Sequence, residues 1–344
     1  MPTDPTRLEK ALTHGARQAC RSFQFALGLA IAVLACNAVA QAPAAPPYPS
    51  RAITVIVPFA AGGNTDVKTR LVAQQLSSIL GQPVIVDNKP GASGNLGMEL
   101  LSRAVPDGYT LGMGSFGPLA VNPSIYPKLN FAPETFVPII LLEKSPLVLT
   151  TPTDRPYRSV ADVVAAARQA PDRLNIANAG PGGAHHLSAE LLESAAGIRM
   201  TGIPFKGGGP AANALLAGQV DLMFEQTGAA MPSIKAGRIR ALAVTASDRL
   251  TAMSDVPTFS ELGYPQVTVS NWMGYVAPKG TPPAIVARLH AAFAQAVARP
   301  EVKNQIVSQG NEPGAGSSEA FARFIADERI RWAKLIKERG ISLE

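Results

Sequence analysis

Three stretches end an apolar run in glycines and open at once into a helical pattern: FAAGGNTD (Phe59–Asp66), AGPGGAHH (Ala179–His186) and FKGGGPAA (Phe205–Ala212). A fourth, GASGN (Gly91–Asn95), has the same parts. Glycines remove Cβ atoms so that backbone N–H groups can face a ligand, and a helix N-terminus adds partial positive charge. That chemistry suits small anions, carboxylates included. The side chains nearby leave alternatives open. Asp66 either contacts a ligand hydroxyl or amine, or caps its own helix. Glu225 ends an apolar strand and either meets a polar ligand group or bridges two lobes. Lys206, the one cation inside a glycine loop, is a carboxylate partner or a solvated loop lysine.

Catalytic chemistry finds little support. GMGSFG (Gly112–Gly117) holds Ser115, but Met113 stands where a nucleophile elbow needs glycine. No GxxxxGK[ST] phosphate loop occurs, and GGGPAA does not match the dinucleotide pattern. His185 and His186 are adjacent and point apart. His186 and Glu190 lie at i, i+4, but a third metal ligand is missing nearby. No metal and no cofactor is expected, and the chain is read as a non-enzyme.

These loops need a scaffold of alternating strands and helices. AITVIVPF, PVIVDN and YTLGMGS read as strands, with a helix TDVKTRLVAQQLSSIL between the first two that buries Leu71, Val72, Leu76, Ile79 and Leu80. A second series starts near Leu147 with LVLTTP and a helix N-capped by Ser159. It continues through LNIANA, IRMTGIPF, QVDLMFE and IRALAVT. Such spacing marks parallel βαβ units. Two series in one chain predict an α/β fold of two Rossmann-like lobes, with the loops at the carboxyl ends of the strands where ligands sit. A last long helix, capped by Ser317 or Ser318, is expected to end at Gly340.

The chain has 344 residues, 47% hydrophobic and 16% charged, enough for two lobes with substantial cores. Its first forty residues differ from the rest. Arg17 and Arg21 precede an apolar run, Phe23–Ala35, and AVA (Ala38–Ala40) follows, the three parts of a secretory signal. The run is too short to span a bilayer. Residues 1–40 are therefore read as a signal peptide and 41–50 as a flexible lead, with a periplasmic mature chain. VLAC (Val33–Cys36) offers lipid anchoring at Cys36 as the lesser alternative. Cys20 and Cys36 both lie in the leader, so the mature chain has no thiol for a disulfide, catalysis or metal. Removing the leader takes four basic and two acidic residues and lowers the formal charge from +6 to +4. The remaining charges are interspersed, and no basic patch calls for nucleic acid.

Taken together, these stretches resemble the Bug receptors, the periplasmic substrate-binding proteins of tripartite tricarboxylate transporters. YPSRAITVIVPFAAGGNTD, VDNKPGASGNLG, DGYTL, AVNPSIY, GPGGAHHLSAELL, PFKGGGPA, GQVDLMFE, IKAGRIRALAVT, DVPTFSELGYP and APKGTPPAIVARL follow in family order. The resemblance implies a two-lobed Venus-flytrap that closes on a small carboxylated solute and hands it to membrane permease subunits. In the family the first loop grips a carboxylate through backbone N–H groups and waters. Carried over, the ligand-binding positions are Phe59, Ala61, Gly62, Gly63, Asn64 and Asp66; Ser93, Asn95 and Ser115; Gly180, Gly182, Ala184 and His185; with Lys206, Gly207 and Glu225 beside them. The family usually has aspartate at Glu225 and often serine at Ala184, which leaves the solute open among dicarboxylates, amino acids, aromatic acids and tricarboxylates. Lobe 1 is expected at 51–150 plus 272–344 and lobe 2 at 151–271, with hinges near Thr150 and Trp272, in a monomer. A sensor that signals to a two-component kinase is the alternative to transport, and an exported hydrolase a remote third.

Overall fold

Apolar β-branched runs become strands, and the glycine-opened stretches become helices, in near-strict alternation. In the computed structural model, residues 48–180 and 182–342 are described. The expected signal peptide and most of the lead lie outside them. The first series is β1 (Ile53–Val57), α1 (Asn64–Leu80), β2 (Val84–Asn88), α2 (Asn95–Ser102), β3 (Thr110–Ser115), the short α3 (Asn122–Ile125) and β4 (Phe136–Pro152). The second is α4 (Val160–Gln169), β5 (Asn175–Asn178), α5 (Ala184–Ala196), β6 (Thr201–Pro204), α6 (Gly208–Leu216), β7 (Leu222–Gln226), α7 (Thr227–Lys235) and β8 (Ile239–Val244). The chain ends with β9 (Ser270–Pro278), α8 (Pro283–Val297), α9 (Pro300–Ser308), β10 (Glu312–Pro313) and α10 (Ser318–Arg339).

Bonded neighbours run β2-β1-β3-β9-β4-β7-β5-β6, with β8 and β10 also on β4. β1 lies parallel to β2 and β3, and β5 parallel to β6 and β7, as βαβ units require. β4 and β9 run antiparallel to their neighbours and link the two series. Partners change along β4: Phe136–Pro146 pairs with β9, and from Leu147 onward the partners are β7 and β8. The buried Thr245 hydroxyl stitches this crossing, accepting the Leu147 N–H at 2.8 Å and donating to the Val269 carbonyl at 2.5 Å. Thr150 and Trp272, the expected hinge positions, lie on these same two strands.

The sequence pattern reaches only LVLTTP of β4, because Pro138, Glu143, Lys144 and Pro146 interrupt the apolar run before it. Glu143 is tolerated there because α1 supplies a partner. Lys68 Nζ donates to both Glu143 carboxylate oxygens at 2.6 Å, in a pair almost without solvent exposure. Asn311 Nδ2 and Ser145 Oγ donate to the same carboxylate at 3.2 and 3.3 Å. On α1, Val72, Leu76 and Leu80 are buried as expected, while Leu71 and Ile79 are half-buried.

Ser159 caps α4 in a reciprocal box with Asp162, and Ser317 caps α10, which stops at left-handed Gly340. α10 reaches across both series. Its Trp332 meets Phe116 edge-on at 5.2 Å, Arg331 Nη2 donates to the Gln266 carbonyl at 2.7 Å, and Arg339 pairs with Glu190 and Glu193 of α5. A further tie joins α7 to the turn after α9. Thr227 Oγ1 donates to the Gly310 carbonyl at 3.0 Å, and a Cβ on Gly228 would stand 2.2 Å from the Gln309 oxygen. Only glycine permits that approach.

Candidate functional site

The carboxyl ends of β1, β3, β5 and β6 and the start of β9 surround a cavity of about 630 Å³. Eight of the sixteen sequence-predicted positions line it: Phe59, Ser93, Ser115, Gly180, Gly182, Ala184, His185 and Gly207. The loops of both series thus converge on one space.

The other eight stand off it, for identifiable reasons. Ala61, Gly62, Gly63 and Asn64 form an exposed tip, and of that loop Phe59 and Thr65 reach the cavity. Asn64 instead borders a smaller depression with Gln226, Gln309 and Asn311. Asp66 is buried and taken up in the turn. Its carboxylate accepts the Gly62 N–H at 2.9 Å, Arg70 Nε at 3.1 Å and Asn88 Nδ2 at 3.0 Å. Arg70 first, then Gly62 and Asn88, hold its pKa below the usual carboxylate value against the opposing effect of burial. Asn95 is buried and accepts Asn122 Nδ2 at 2.7 Å. Lys206 is exposed. Glu225 is 5% exposed, its Oε2 has no partner, and burial pushes its pKa up to about 7.

Several lining residues carry no motif of their own. Asn122, Ile125 and Tyr126 belong to AVNPSIY, a stretch quoted for the family resemblance but assigned no contact from sequence. Phe116, Gly117 and Pro118 follow β3 in a π-helical turn, Gly117–Val121. Asn271, Trp272 and Met273 open β9, and the β3–β9 register sets Met273 directly across from Ser115. No local pattern exposes such residues; only the sheet order brings them to the cavity.

The GASGN turn is strained. Ala92 and Ser93, neither of them glycine, take left-handed φ values of +46° and +54°, a conformation costing on the order of 1 kcal/mol or more per residue. Side chains over-determine it. Asn122 Nδ2 donates to the Ser93 carbonyl at 3.3 Å, and the Tyr126 hydroxyl to Ser93 Oγ at 2.9 Å. The second-series loop is set by Gly182 at φ +71°, where a Cβ would lie 2.4 Å from Ile125 Cδ1 of the first series. Its N–H donates to His186 Nδ1 at 3.1 Å, and His186 Nε2 lies 3.3 Å from Glu190. That relay accounts for the i, i+4 pair noted in the sequence. Among the described residues no cluster of three metal ligands occurs.

Electrostatically the cavity is neutral in its side chains. Among the described residues its lining holds no Lys, Arg, Asp or Glu. Burial lowers the His185 pKa to about 4, so its ring is uncharged at neutral pH. Ser115 is 7% exposed, and its Oγ has no hydrogen-bond partner. The first turns of α1, α5 and α6 reach the space through Thr65, Ala184 and Gly208. Such an arrangement can hold a small anion on main-chain N–H groups, hydroxyls and bridging water without an ion pair.

Comparison with known proteins agrees with this geometry. A family model described as tripartite tricarboxylate transporter family receptor matches residues 68–341. Protein BugT of Bordetella pertussis is 38% identical over 299 residues, covering 86% of this chain and 92% of BugT. Two solved structures align with TM-scores of 0.75 and 0.71. One is R. palustris Rpa4515 with adipate, 36% identical over 86% of this chain and 100% of that one. The other is MatC (Rpa3494) from Rhodopseudomonas palustris with bound malate, 35% identical over 84% and 100%.

Proposed function

The chain belongs to the tripartite tricarboxylate transporter receptor family, and on that premise we propose that it is a periplasmic solute-binding protein that captures a small carboxylated solute and delivers it to the permease of a tripartite tricarboxylate transporter. The single observation that carries the reading is the cavity where the loops of both series meet, free of charged side chains among the described residues yet faced by three helix starts and the unpartnered Ser115 hydroxyl. Relatives bound to adipate and malate support it. A receptor must release its cargo. Neutral donors and water bridges suit reversible capture better than a buried ion pair, whose desolvation is costly and whose loss of one partner is costlier.

In this reading residues 51–150 with 272–344 form one lobe, 151–271 the other, and closure turns on β4 and β9. The leader, residues 1–40, directs export. The cavity-lining positions among the predicted residues make the first contacts, and Asp66 and Asn95 position them from behind.

A thermal-shift screen of organic acids tests the capture, since a ligand that binds only the native state raises the melting temperature. At least one carboxylate raises it, and the corresponding amide does not. Gly182→Val, which drives a side chain into Ile125, abolishes the shift. Delivery is tested by solute uptake into vesicles carrying the permease subunits; uptake that ignores added receptor ends that half of the proposal.

A further inference from the structure

We infer that Arg339, at the end of the last helix, positions the second-series binding loop through Glu190 and His186, so that three residues which do not line the cavity help set its affinity for a carboxylate. This rests on the reading of the cavity as the seat of a carboxylate and adds the residues that hold one of its walls in place.

The start of α5 has no side-chain cap, and the Leu187 N–H is the one that bonds back to the Gly183 carbonyl, at 3.0 Å. The N–H groups of the first turn, Ala184 to His186, are therefore open to a solute. Where they point is decided by the turn before them. Gly182 takes φ +71°, and its N–H donates to His186 Nδ1 at 3.1 Å, which folds the turn onto the helix it opens. A Cβ on Gly182 would stand 2.4 Å from Ile125 Cδ1 in the facing wall of the cavity. The turn has little room to move on that side.

The acceptor in this turn depends on a tautomer. His186 can accept at Nδ1 only when its neutral ring carries the proton on Nε2. Nε2 lies 3.3 Å from Glu190 Oε1, and Glu190 Oε2 accepts from Arg339 Nε at 2.5 Å, from 149 positions further along the chain. Burial alone would raise the Glu190 pKa, but the bonds from His186 and Arg339 outweigh it and hold the value below the ordinary one. Glu190 is therefore an anion that can only accept, which selects the Nε2–H ring. Arg339 also pairs with Glu193, whose carboxylate accepts the Met200 N–H at 2.8 Å. Elsewhere a cavity of about 580 Å³ opens between α5 and α10, lined by Leu191, Ser194, Ala195, Arg331 and Leu335. Close packing does not fix the two helices along that stretch. Arg339 supplies the tie.

Titration calorimetry of the purified protein with adipate, malate, citrate and benzoate finds the acid that the parent binds most tightly, and that acid is the probe for every variant. His186→Ala removes the acceptor and weakens the probe about ten-fold, and Arg339→Ala weakens it about five-fold. His186→Asn keeps an acceptor near the Nδ1 position without reaching Glu190, and stays within about two-fold of the parent. In that background Arg339→Ala no longer changes the affinity, although it still lowers the melting temperature through the lost Glu193 pair. A merely structural Arg339 would cost the same affinity in either background. Glu190→Ala repeats the cycle with the Glu193 pair intact, and stands in for Arg339→Ala should that variant not fold. Nitrogen-15 shifts of the imidazole give a reading without solute: His186 is the Nε2–H tautomer in the parent and a mixture of tautomers in Arg339→Ala. The inference is overturned, while the carboxylate reading stands, if Arg339→Ala and Glu190→Ala bind as the parent does, or lose as much in the His186→Asn background as alone. A His186→Asn variant as weak as His186→Ala, or a parent ring protonated at Nδ1, overturns it as well. If all four acids are silent, the carboxylate reading falls and takes the inference with it.

Discussion

The two series meet the cavity with the same device, a glycine turn that opens a helix, yet near it they treat some of their ionisable groups in different ways. The first series pairs them. Asp66 is held by Gly62, Asn88 and Arg70, and Glu143 by Lys68, Ser145 and Asn311. The second series pairs the buried Glu193 with Arg339 as well, but near the cavity it leaves two groups uncharged. Glu225 keeps its proton to about pH 7, and His185 stays unprotonated down to about pH 4. A buried charge must be paired or discharged; this chain pairs on both sides of β4 and discharges on the second. The paired side is a fixed platform. The neutral side can meet a solute without bringing a charge of its own, so the anion encounters no competing field.

Breaking the platform gives the largest effect. Lys68→Met leaves the Glu143 carboxylate buried without its cation, and such a loss costs about 3–5 kcal/mol. Denaturant unfolding measures it as a lower midpoint at unchanged slope. Adding Glu143→Leu returns most of the loss, because removing both members of a buried pair is close to neutral. A double variant as unstable as the single one would mean that the pair's geometry, not its charge balance, holds α1 to β4.

On the neutral side the sign reverses. Folded Glu225 releases its proton near pH 7, and in the unfolded chain the value returns to the ordinary 4.5. Between these limits the folded state binds more protons, so its stability falls as pH rises, fully present below 4.5 and lost above 7. The cost at pH 8 is about 3 kcal/mol. Glu225→Gln is uncharged throughout and gains about that much over the parent at pH 8, with no difference at pH 4. His185 runs the other way: its lowered value makes stability fall as pH drops from 6.5 toward 4. In the parent the two slopes offset each other around pH 5–6, and in the variant only the rise with pH remains. Parallel unfolding curves across this range would show that Glu225 does not titrate alone.

The contrast also marks what the sequence discloses. Alternation of apolar runs with glycine-opened helices makes both βαβ series and the capping residues Ser159 and Ser317 legible, because these depend on neighbours within one element. The loops that converge on the cavity are legible for the same reason. Trp272 and Met273 are not, since their approach to Ser115 is set by the β3–β9 register, over more than a hundred intervening residues. The first half of β4 is hidden for a related reason. Glu143 interrupts the apolar run, and its partner Lys68 lies seventy-five residues away in the chain. Asp66 is legible as a choice between two roles, and the side chain of Asn88 on the neighbouring strand is part of what takes up its carboxylate in the turn.

That turn offers the next measurement. Asp66→Ala removes the acceptor for the Gly62 N–H and for Asn88, and costs about 1–2 kcal/mol, in the range of a lost helix cap. Because its folded pKa is depressed, the Asp66 contribution is present above the ordinary value of 3.8 and fades as pH falls through the folded one. The difference between parent and variant therefore shrinks in acid, as the Glu225 difference does, but with the opposite sign: the parent is the more stable of the Asp66 pair and the less stable of the Glu225 pair. If the parent were the more stable member of both pairs at pH 8, the contrast between the paired Asp66 and the neutral Glu225 would be wrong.

The smallest expected effect separates the members of that turn. Arg70 is the largest single influence on the Asp66 carboxylate, but its side chain is about half exposed. Water and salt screen an exposed ion pair, and fixing a long side chain costs entropy, so Arg70→Ala loses no more than about 0.5 kcal/mol. The Gly62 N–H and Asn88 amide bonds survive the change, and the turn before α1 stays in place. Repeating the unfolding at high ionic strength checks the cause. Screening erases the Arg70 difference and leaves the Asp66→Ala cost nearly intact, since that cost comes from neutral donors left without an acceptor. Should Arg70→Ala prove as harmful as Asp66→Ala, the turn would be held by charge at the surface instead of by bonds beneath it, and the first series would owe its rigidity to the Lys68–Glu143 pair alone.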